Sequence, residues 1–170
     1  MVGEQVQAGG SIFEEDYWAL RGVLTELLEG ANARSVLLVD GTGQVITSLA
    51  TPAEFDVMSF AALCAADFEA NRQLAHLIGE EDFSTLYHQG TNESMYLSRV
   101  EARVILAVLF DRRATLGLVR LRVARAVERL TVVFQRLFEK AQHHVQVARL
   151  EVDADFTARA EAQIDDLFQE

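Results

Sequence analysis

Residues 51–79, TPAEFDVMSFAALCAADFEANRQLAHLIG, form the stretch around which the rest of the chain can be arranged. Thr51 and Pro52 are typical of a helix start, and Gly79 is typical of a helix end. Between them, apolar residues recur at steps of three and four, which is the period of a helix with one buried face. The predicted buried side consists of Phe60, Leu63, Leu74 and Ile78, with Cys64, Asp67 and Asn71.

The opposite side of this predicted helix carries a second stripe, composed of small, aromatic and charged residues. A helix that covers a single core normally has a polar outer face, whereas this stripe contains alanines and a phenylalanine. Because small side chains permit close approach, the stripe is interpreted as a contact surface for another chain. The alternative is a helix buried on both sides, where Glu69 and Arg72 would be costly. The stripe and its flanks are Ala61, Ala62, Ala65, Phe68, Glu69, Arg72 and Gln73.

Length and composition limit the class of protein. The chain has 170 residues, half of them hydrophobic, and a formal net charge of −11. The length predicts one domain with an appendage, and the charge argues against a nucleic-acid partner. No apolar run approaches the roughly 18 residues of a membrane span, and the start lacks a signal-peptide pattern. Because Cys64 is the single cysteine, we expect no intrachain disulfide and a cytoplasmic location.

The segment before the hairpin predicts a helix. Residues 1–10 contain little that could pack and are expected to be disordered. Residues 11–14, SIFE, have the capping-box pattern, which predicts a helix that starts there and runs to Glu29, with Gly30 as its stop. Its predicted apolar face is Phe13, Tyr17, Leu20, Leu24 and Leu27.

Five short runs rich in β-branched and aromatic residues predict strands. The turn residues 40–43, DGTG, predict a hairpin between the first two runs. Residues 36–39 are apolar without alternation, so the first strand should be covered on both faces, and the fifth run should be central in the sheet. The runs are 35–40 (SVLLVD), 44–48 (QVITS), 83–89 (FSTLYHQ), 94–99 (SMYLSR) and 103–110 (RVILAVLF).

A last long helix is predicted after Thr115. Its predicted buried face is Val123, Val127, Leu130, Phe134, Leu137 and Ala141. Towards the other side lies an arginine stripe, interpreted as a solvated face paired with acidic side chains; a phosphate site is the alternative. The stripe is Arg122, Arg125, Arg129 and Arg136.

Residues 143–170 are predicted to be a mobile acidic tail. Residues 151–170 hold seven acids against Arg159 alone, a local charge of −6. The apolar cluster at their end predicts a short recognition helix that binds a partner. It consists of Ile164, Asp165, Asp166, Leu167 and Phe168.

The predicted element order is α-β-β-α-β-β-β-α, an α/β (α+β) fold. One five-stranded antiparallel sheet with helices on both faces accommodates it. The predicted domain covers residues 11–142, between the disordered start and the tail. No phosphate loop, nucleophile elbow or metal-binding spacing occurs in the sequence, so we expect no active site, no cofactor and no metal site.

The element order and six segments resemble the Roadblock/LC7 family. The likeness covers roughly residues 12–142, and residues 164–168 resemble the end of family members that regulate MglA-type GTPases. The six segments are 36–40 (VLLVD), 43–46 (GQVI), 74–80 (LAHLIGE), 88–90 (HQG), 108–111 (VLFD) and 116–121 (LGLVRL).

The resemblance implies a homodimer in which the third strand pairs with its twin and the two long helices lie side by side. Their exposed faces would bind a small Ras-like GTPase of the MglA type and accelerate GTP hydrolysis by repositioning the GTPase's own catalytic residues. Such regulators act in cell polarity and gliding motility. The implied dimer interface comprises Phe83, Thr85, Leu86 and Tyr87, and the tail would make a second contact with the GTPase.

The sequence departs from the family pattern on the long helix. Related chains carry mostly alanine, glycine and threonine there, whereas Asp67, Phe68, Glu69 and Arg72 are larger or charged. These residues would retune the GTPase contact or block it. The alternative function is therefore a non-catalytic scaffold that pairs with another Roadblock protein and recruits polarity components. A third hypothesis is a sensor domain that binds a small ligand.

Overall fold

The computed structural model describes residues 4–50 and 55–167, and only the backbone of residues 4–13, 50, 144, 145 and 147–167. Thr51, Pro52 and Phe168, which the sequence analysis singled out, lie outside the described residues. The chain forms two compact units, with the division between Phe134 and Gln135. The second unit consists, in its described part, of the C-terminal portion of the last helix.

The elements follow the predicted order. The three helices are α1 (Glu4–Gly30), α2 (Val57–Leu77) and α3 (Leu116–Leu167). The five strands are β1 (Ser35–Asp40), β2 (Val45–Ala50), β3 (Thr85–Gln89), β4 (Glu93–Glu101) and β5 (Val104–Asp111).

The strands form one antiparallel sheet in the order β2-β1-β5-β4-β3. The predicted fold class is therefore confirmed. In the centre, Leu37 lies opposite Ala107, and Leu38 lies opposite Leu106. β2 and β3 are the two edges, which leaves β3 with a ladder to β4 only.

The two faces of the sheet are covered by different helices. Leu37, Val39 and Ile105 pack with Cys64 and Phe68 of α2. Since successive strand residues point to opposite faces, Val36 and Leu38 face the other side. There α1 contacts β1 and β2, and α3 is joined to α1 by an ion pair between Arg129 and Glu26. All five residues from Ser35 to Val39 are buried, as predicted for a strand covered on both faces.

The helices at both ends are longer than predicted. α1 begins at Glu4, within the segment that was expected to be disordered, and the capping-box residue Ser11 lies inside it. α3 continues to Leu167, so the expected break near Gln142 is absent. Residues 143–167 contain five alanines and no glycine or proline, a composition that favours helix even where no apolar stripe directs packing.

Specific side chains and backbone angles define the ends of α2. The Asp56 carboxylate accepts hydrogen bonds from the backbone N–H groups of Met58 and Ser59 at 3.0 and 3.3 Å, so Asp56 is the N-cap. At the other end, Gly79 has a φ of +84°. The N–H of Glu80 donates to the carbonyl of Ala75 at 2.9 Å. The predicted stop at Gly79 is therefore a left-handed cap.

The predicted hairpin turn brings Gly43 against α2. Asp40 Oδ1 accepts hydrogen bonds from the N–H and hydroxyl of Thr42 at 2.8 and 2.6 Å, and these lower the pKa of Asp40, the hydroxyl bond most. Gly43 has a φ of +88°, and a Cβ there would lie 2.7 Å from the Cα of Ala62. The turn thus requires glycine both for its backbone angle and for its contact with the helix.

Replacement of Gly43 by alanine should destabilise the protein by about 2 kcal/mol or more, because the left-handed strain adds to a clash with a helix backbone. Gly79→Ala is the matched control: its φ is +84°, but nothing lies within 4 Å of the added Cβ. It should cost only about 1 kcal/mol. Urea unfolding followed by circular dichroism measures both values. Equal losses in the two variants would contradict the close packing of the hairpin against α2.

Candidate functional site

The structure corrects the predicted orientation of α2 in part, although Cys64 and Phe60 of the predicted buried side do pack against the sheet. The side that faces the sheet consists of Ala61, Cys64, Phe68 and Ala75, each no more than 4% exposed. Three residues of the predicted buried side are exposed instead: Leu63 by 68%, Leu74 by 54% and Ile78 by 70%. Ala61 and Phe68, predicted to contact a GTPase, therefore belong to the core and are not available to a partner.

The physical reason for this correction is the space between helix and sheet. Both stripes of α2 have helical periodicity, so the pattern alone does not decide which one is buried. Alanine and cysteine allow the helix to lie close to the strands, and Phe68 fills the remaining volume. The Arg99 guanidinium lies 5.5 Å from the centre of the Phe68 ring and also pairs with Asp82. Phe68 thus also takes part in a cation–π contact at the margin of the core.

The remaining predicted contact residues of α2 differ in exposure. Ala62, Glu69 and Gln73 are exposed, whereas Ala65 and Arg72 are half-buried. Sequence reasoning missed Ala66 and Leu77, which together with Ala70 form the centre of the outward face, with Leu77 82% exposed. The signal was available, since residues 63, 66, 70, 74 and 77 are separated by steps of three and four.

Glu69 and Arg72 of α2 are paired with one another. Arg72 donates to Glu69 through Nε at 2.9 Å and through Nη2 at 2.6 Å, and Gln73 donates to the same carboxylate at 2.9 Å. The hydrogen bond from Arg72, followed by that from Gln73, lowers the pKa of Glu69 to about 2. Because the two charges cancel within the helix, this part of the face presents no net charge to a partner.

A second set of contacts ties α2 to the edge strand β3. Asp67 Oδ2 lies 2.8 Å from Nε2 of His88, and Asn71 Nδ2 donates to Asp67 Oδ1 at 2.9 Å. Leu63 and Leu74 are four residues before and seven residues after Asp67, so they lie on the same side of the helix. Leu63 and Leu74 therefore lie towards the β3 edge of the sheet, whereas Ala66, Ala70 and Leu77 point away from the sheet.

The β3 edge is open along its backbone. The N–H of Arg99 donates to the carbonyl of Ser84, and the N–H of Gly90 donates to the carbonyl of Glu93, both at 2.9 Å. In an antiparallel pair the bonded residues alternate, so Leu86 and His88 bond to β4. The backbone groups of Thr85 and Tyr87 therefore face outwards. Leu86 is half-buried, Tyr87 is 38% exposed, and Phe83 lies half-buried just before the strand.

Comparison with known proteins identifies the fold family. The Roadblock/LC7 domain profile matches residues 21–110, which is more than half of the chain. The chain belongs to the Roadblock/LC7 family. The predicted resemblance is therefore confirmed, and no curated protein sequence matches the chain significantly.

Several solved Roadblock/LC7 structures are similar to this chain. Myxococcus xanthus MglB is 42% identical, with a TM-score of 0.67 over 69% of this chain and 95% of that protein. The gliding protein MglB of Thermus thermophilus is 31% identical, with a TM-score of 0.69 over 71% of this chain and 92% of that protein. A Roadblock/LC7 domain from Streptomyces avermitilis, 17% identical with a TM-score of 0.61, shares the fold.

Two further observations concern site chemistry in this Roadblock/LC7 protein. Among the described residues, no group of three or more histidine, cysteine, aspartate or glutamate side chains could hold a metal ion. Nor, within the same residues, is any helix both long and apolar enough to cross a membrane.

The orientation of α2 can be tested through Cys64. Burial, followed by the nearby charge of Asp67, raises the pKa of its thiol from 9.0 to about 12. At pH 8 the thiolate fraction should therefore be about a thousandfold lower than that of a free thiol. We expect labelling by Ellman's reagent to be correspondingly slow in the native protein and fast in urea. Equally fast labelling in both conditions would show that the Cys64 side of α2 does not face the sheet.

Proposed function

We propose that this Roadblock/LC7 protein is a cytoplasmic, non-enzymatic regulator of an MglA-type small GTPase in cell polarity or gliding motility. The outward face of α2 is the observation that supports this proposal. Ala66, Ala70 and Leu77 are exposed there, in a chain whose sequence is 42% identical to Myxococcus xanthus MglB. Small residues there permit the backbone of a partner to approach closely, and Leu77 provides apolar area. Ala62, Glu69, Gln73 and the half-buried Ala65 and Arg72 flank this contact surface.

The proposed active form is a homodimer. Two copies related by a two-fold axis would pair their β3 strands through the outward backbone groups of Thr85 and Tyr87. Leu63 and Leu74 would then meet their counterparts on the partner helix, removing from water side chains that are 68% and 54% exposed. The same association would give the open edge of each sheet its missing backbone hydrogen bonds and would bury apolar area.

Stimulation of hydrolysis by such a dimer would act through the GTPase's own residues. The arginines of the β5–α3 turn are already engaged: Arg112 donates to the Thr91 carbonyl at 3.0 Å, and Arg113 pairs with Asp111. A catalytic arginine finger must reach the nucleotide, which these contacts do not favour. The C-terminal residues 164–167, which belong to α3, together with Phe168, are proposed as the second GTPase contact.

Pairing through β3 predicts different effects for two neighbouring proline substitutions. Tyr87→Pro removes an outward donor from each copy, so it should weaken dimerisation at least about tenfold while the monomer stays folded. His88→Pro is the matched comparison: it removes a donor to β4, so it should lower the melting temperature. Analytical ultracentrifugation and circular dichroism separate the two effects. A Tyr87→Pro protein that sediments as an intact dimer would contradict this interface.

The GTPase contact is tested by measuring GTP turnover of the cognate MglA-type protein with and without this chain. The wild-type chain should stimulate turnover. Ala66→Arg places a long cation on the outward face of α2 and should weaken the GTPase complex at least about a hundredfold, with loss of stimulation. Ala124→Arg, at an exposed position of α3, is the control and should behave like the wild type.

The outcomes of this assay distinguish a regulator that stimulates GTP turnover from a non-catalytic scaffold. Binding that depends on Ala66 without any stimulation of turnover would support the scaffold hypothesis. Equal affinity of the Ala66→Arg and Ala124→Arg proteins for the GTPase in calorimetry would show that the GTPase contact does not lie on α2. A mixed complex with another Roadblock chain would appear in ultracentrifugation as a particle of different mass.

A further inference from the structure

A groove of about 260 Å³ lies between α1 and α3, on the sheet face opposite α2. Val23 and Leu27 of α1 and Ala126 of α3 provide its apolar floor. Its charged wall consists of Arg122, Arg125 and Arg129, with Glu26 on the α1 side. The arginines are separated by three and four residues, so they project from one side of α3. We call this feature the α1–α3 groove.

The charges of the α1–α3 groove are not balanced by its own residues. Arg129 is paired with Glu26, and its Nη2 lies 3.1 Å from Oε1. The guanidinium of Arg122 lies against Gly30, where an added Cβ would be 3.3 Å from its Cζ. Among the described residues, no acidic side chain pairs with Arg122 or Arg125. Three guanidinium groups therefore face one carboxylate, in a chain whose net charge is −11.

We infer that the α1–α3 groove binds an acidic peptide segment of a partner protein. Guanidinium groups bind carboxylates through two parallel hydrogen bonds, so each free arginine offers a directional contact. The apolar floor can accept an aliphatic side chain that lies between two such carboxylates. The partner is thus an amphipathic segment with acidic residues along one side.

The spacing of the arginines favours a peptide over a single anion. Positions 122, 125 and 129 are separated along the helix axis by about 4.5 and 6 Å, a span of about 10 Å. One phosphate cannot engage all three groups, whereas carboxylates one helical turn apart match their separation. A flat anionic membrane contacts protruding side chains rather than a groove.

This inference does not depend on the proposed GTPase contact. The α1–α3 groove and the outward face of α2 lie on opposite sides of the sheet, so occupation of one leaves the other accessible. An acidic partner could therefore hold the protein in place while α2 contacts a GTPase. The two functions can be tested separately on the same chain.

Fluorescence anisotropy with a labelled model peptide tests the inference. The peptide is helical, with glutamate at every third and fourth position and leucine between, and it is titrated with the full chain at low salt. Arg125→Glu should weaken binding at least about tenfold, since it replaces a charge-assisted pair by a like-charge contact. Raising the salt concentration should weaken wild-type binding by screening the exposed charges.

Arg120→Glu is the matched control, because it makes the same charge change at an exposed position on the far side of α3. It should bind the peptide within about twofold of the wild type. Equal losses in the two variants would show attraction by overall charge and overturn the inference, as would absence of peptide binding. Binding of inorganic phosphate or phosphatidylglycerol vesicles that depends on Arg125, without peptide binding, would also overturn it. Circular dichroism verifies that both variants are folded.

Discussion

The central strand pair β1–β5 must be buried on both faces, and the rest of the fold depends on that constraint. Leu37 and Leu38 point to opposite sides of the sheet and are both fully buried, as are their partners Ala107 and Leu106. Such strands are stable only if helices cover both surfaces. α2 therefore lies on one face, and α1 with α3 on the other. The edges β2 and β3 keep a ladder on only one side.

The covering helix α2 buries only part of its apolar surface. Most residues on its buried side are small: Ala61, Cys64 and Ala75 allow close contact with the strands, and Phe68 is the one bulky residue among them. Its large aliphatic side chains remain exposed in the single chain, and burial of each would contribute about 1.5–3 kcal/mol. A helix of this kind gains by association, and the open edge of β3 lies on the side towards which Leu63 and Leu74 face.

The two faces of the domain differ in charge as well as in composition. On α2, Glu69 and Arg72 neutralise each other, so the outward face is apolar and uncharged apart from that pair. On the other face, residues 112–134 hold six arginines against Glu128 alone. The chain as a whole has a net charge of −11, but it contains this basic region. A partner that is apolar and one that is acidic would be directed to different sides of the sheet.

The amino-acid sequence alone predicts the element order, the hairpin at 40–43, the stop at Gly79 and the family, because caps, turns and strand periodicity are local. It did not determine which stripe of α2 is buried, since both have helical spacing and the choice depends on the distance between helix and sheet. The predicted end of α3 was also wrong, because helix propensity continues the helix beyond the point where the apolar pattern ends. The arginine stripe was visible, but only Arg129 pairs with Glu26 as predicted, whereas among the described residues no acidic side chain pairs with Arg122 or Arg125. Only the tertiary structure brought Arg122 and Arg125 beside the apolar floor of α1, since residues 23–27 and 122–129 are distant in the chain and meet only because both helices cover the same face of the sheet.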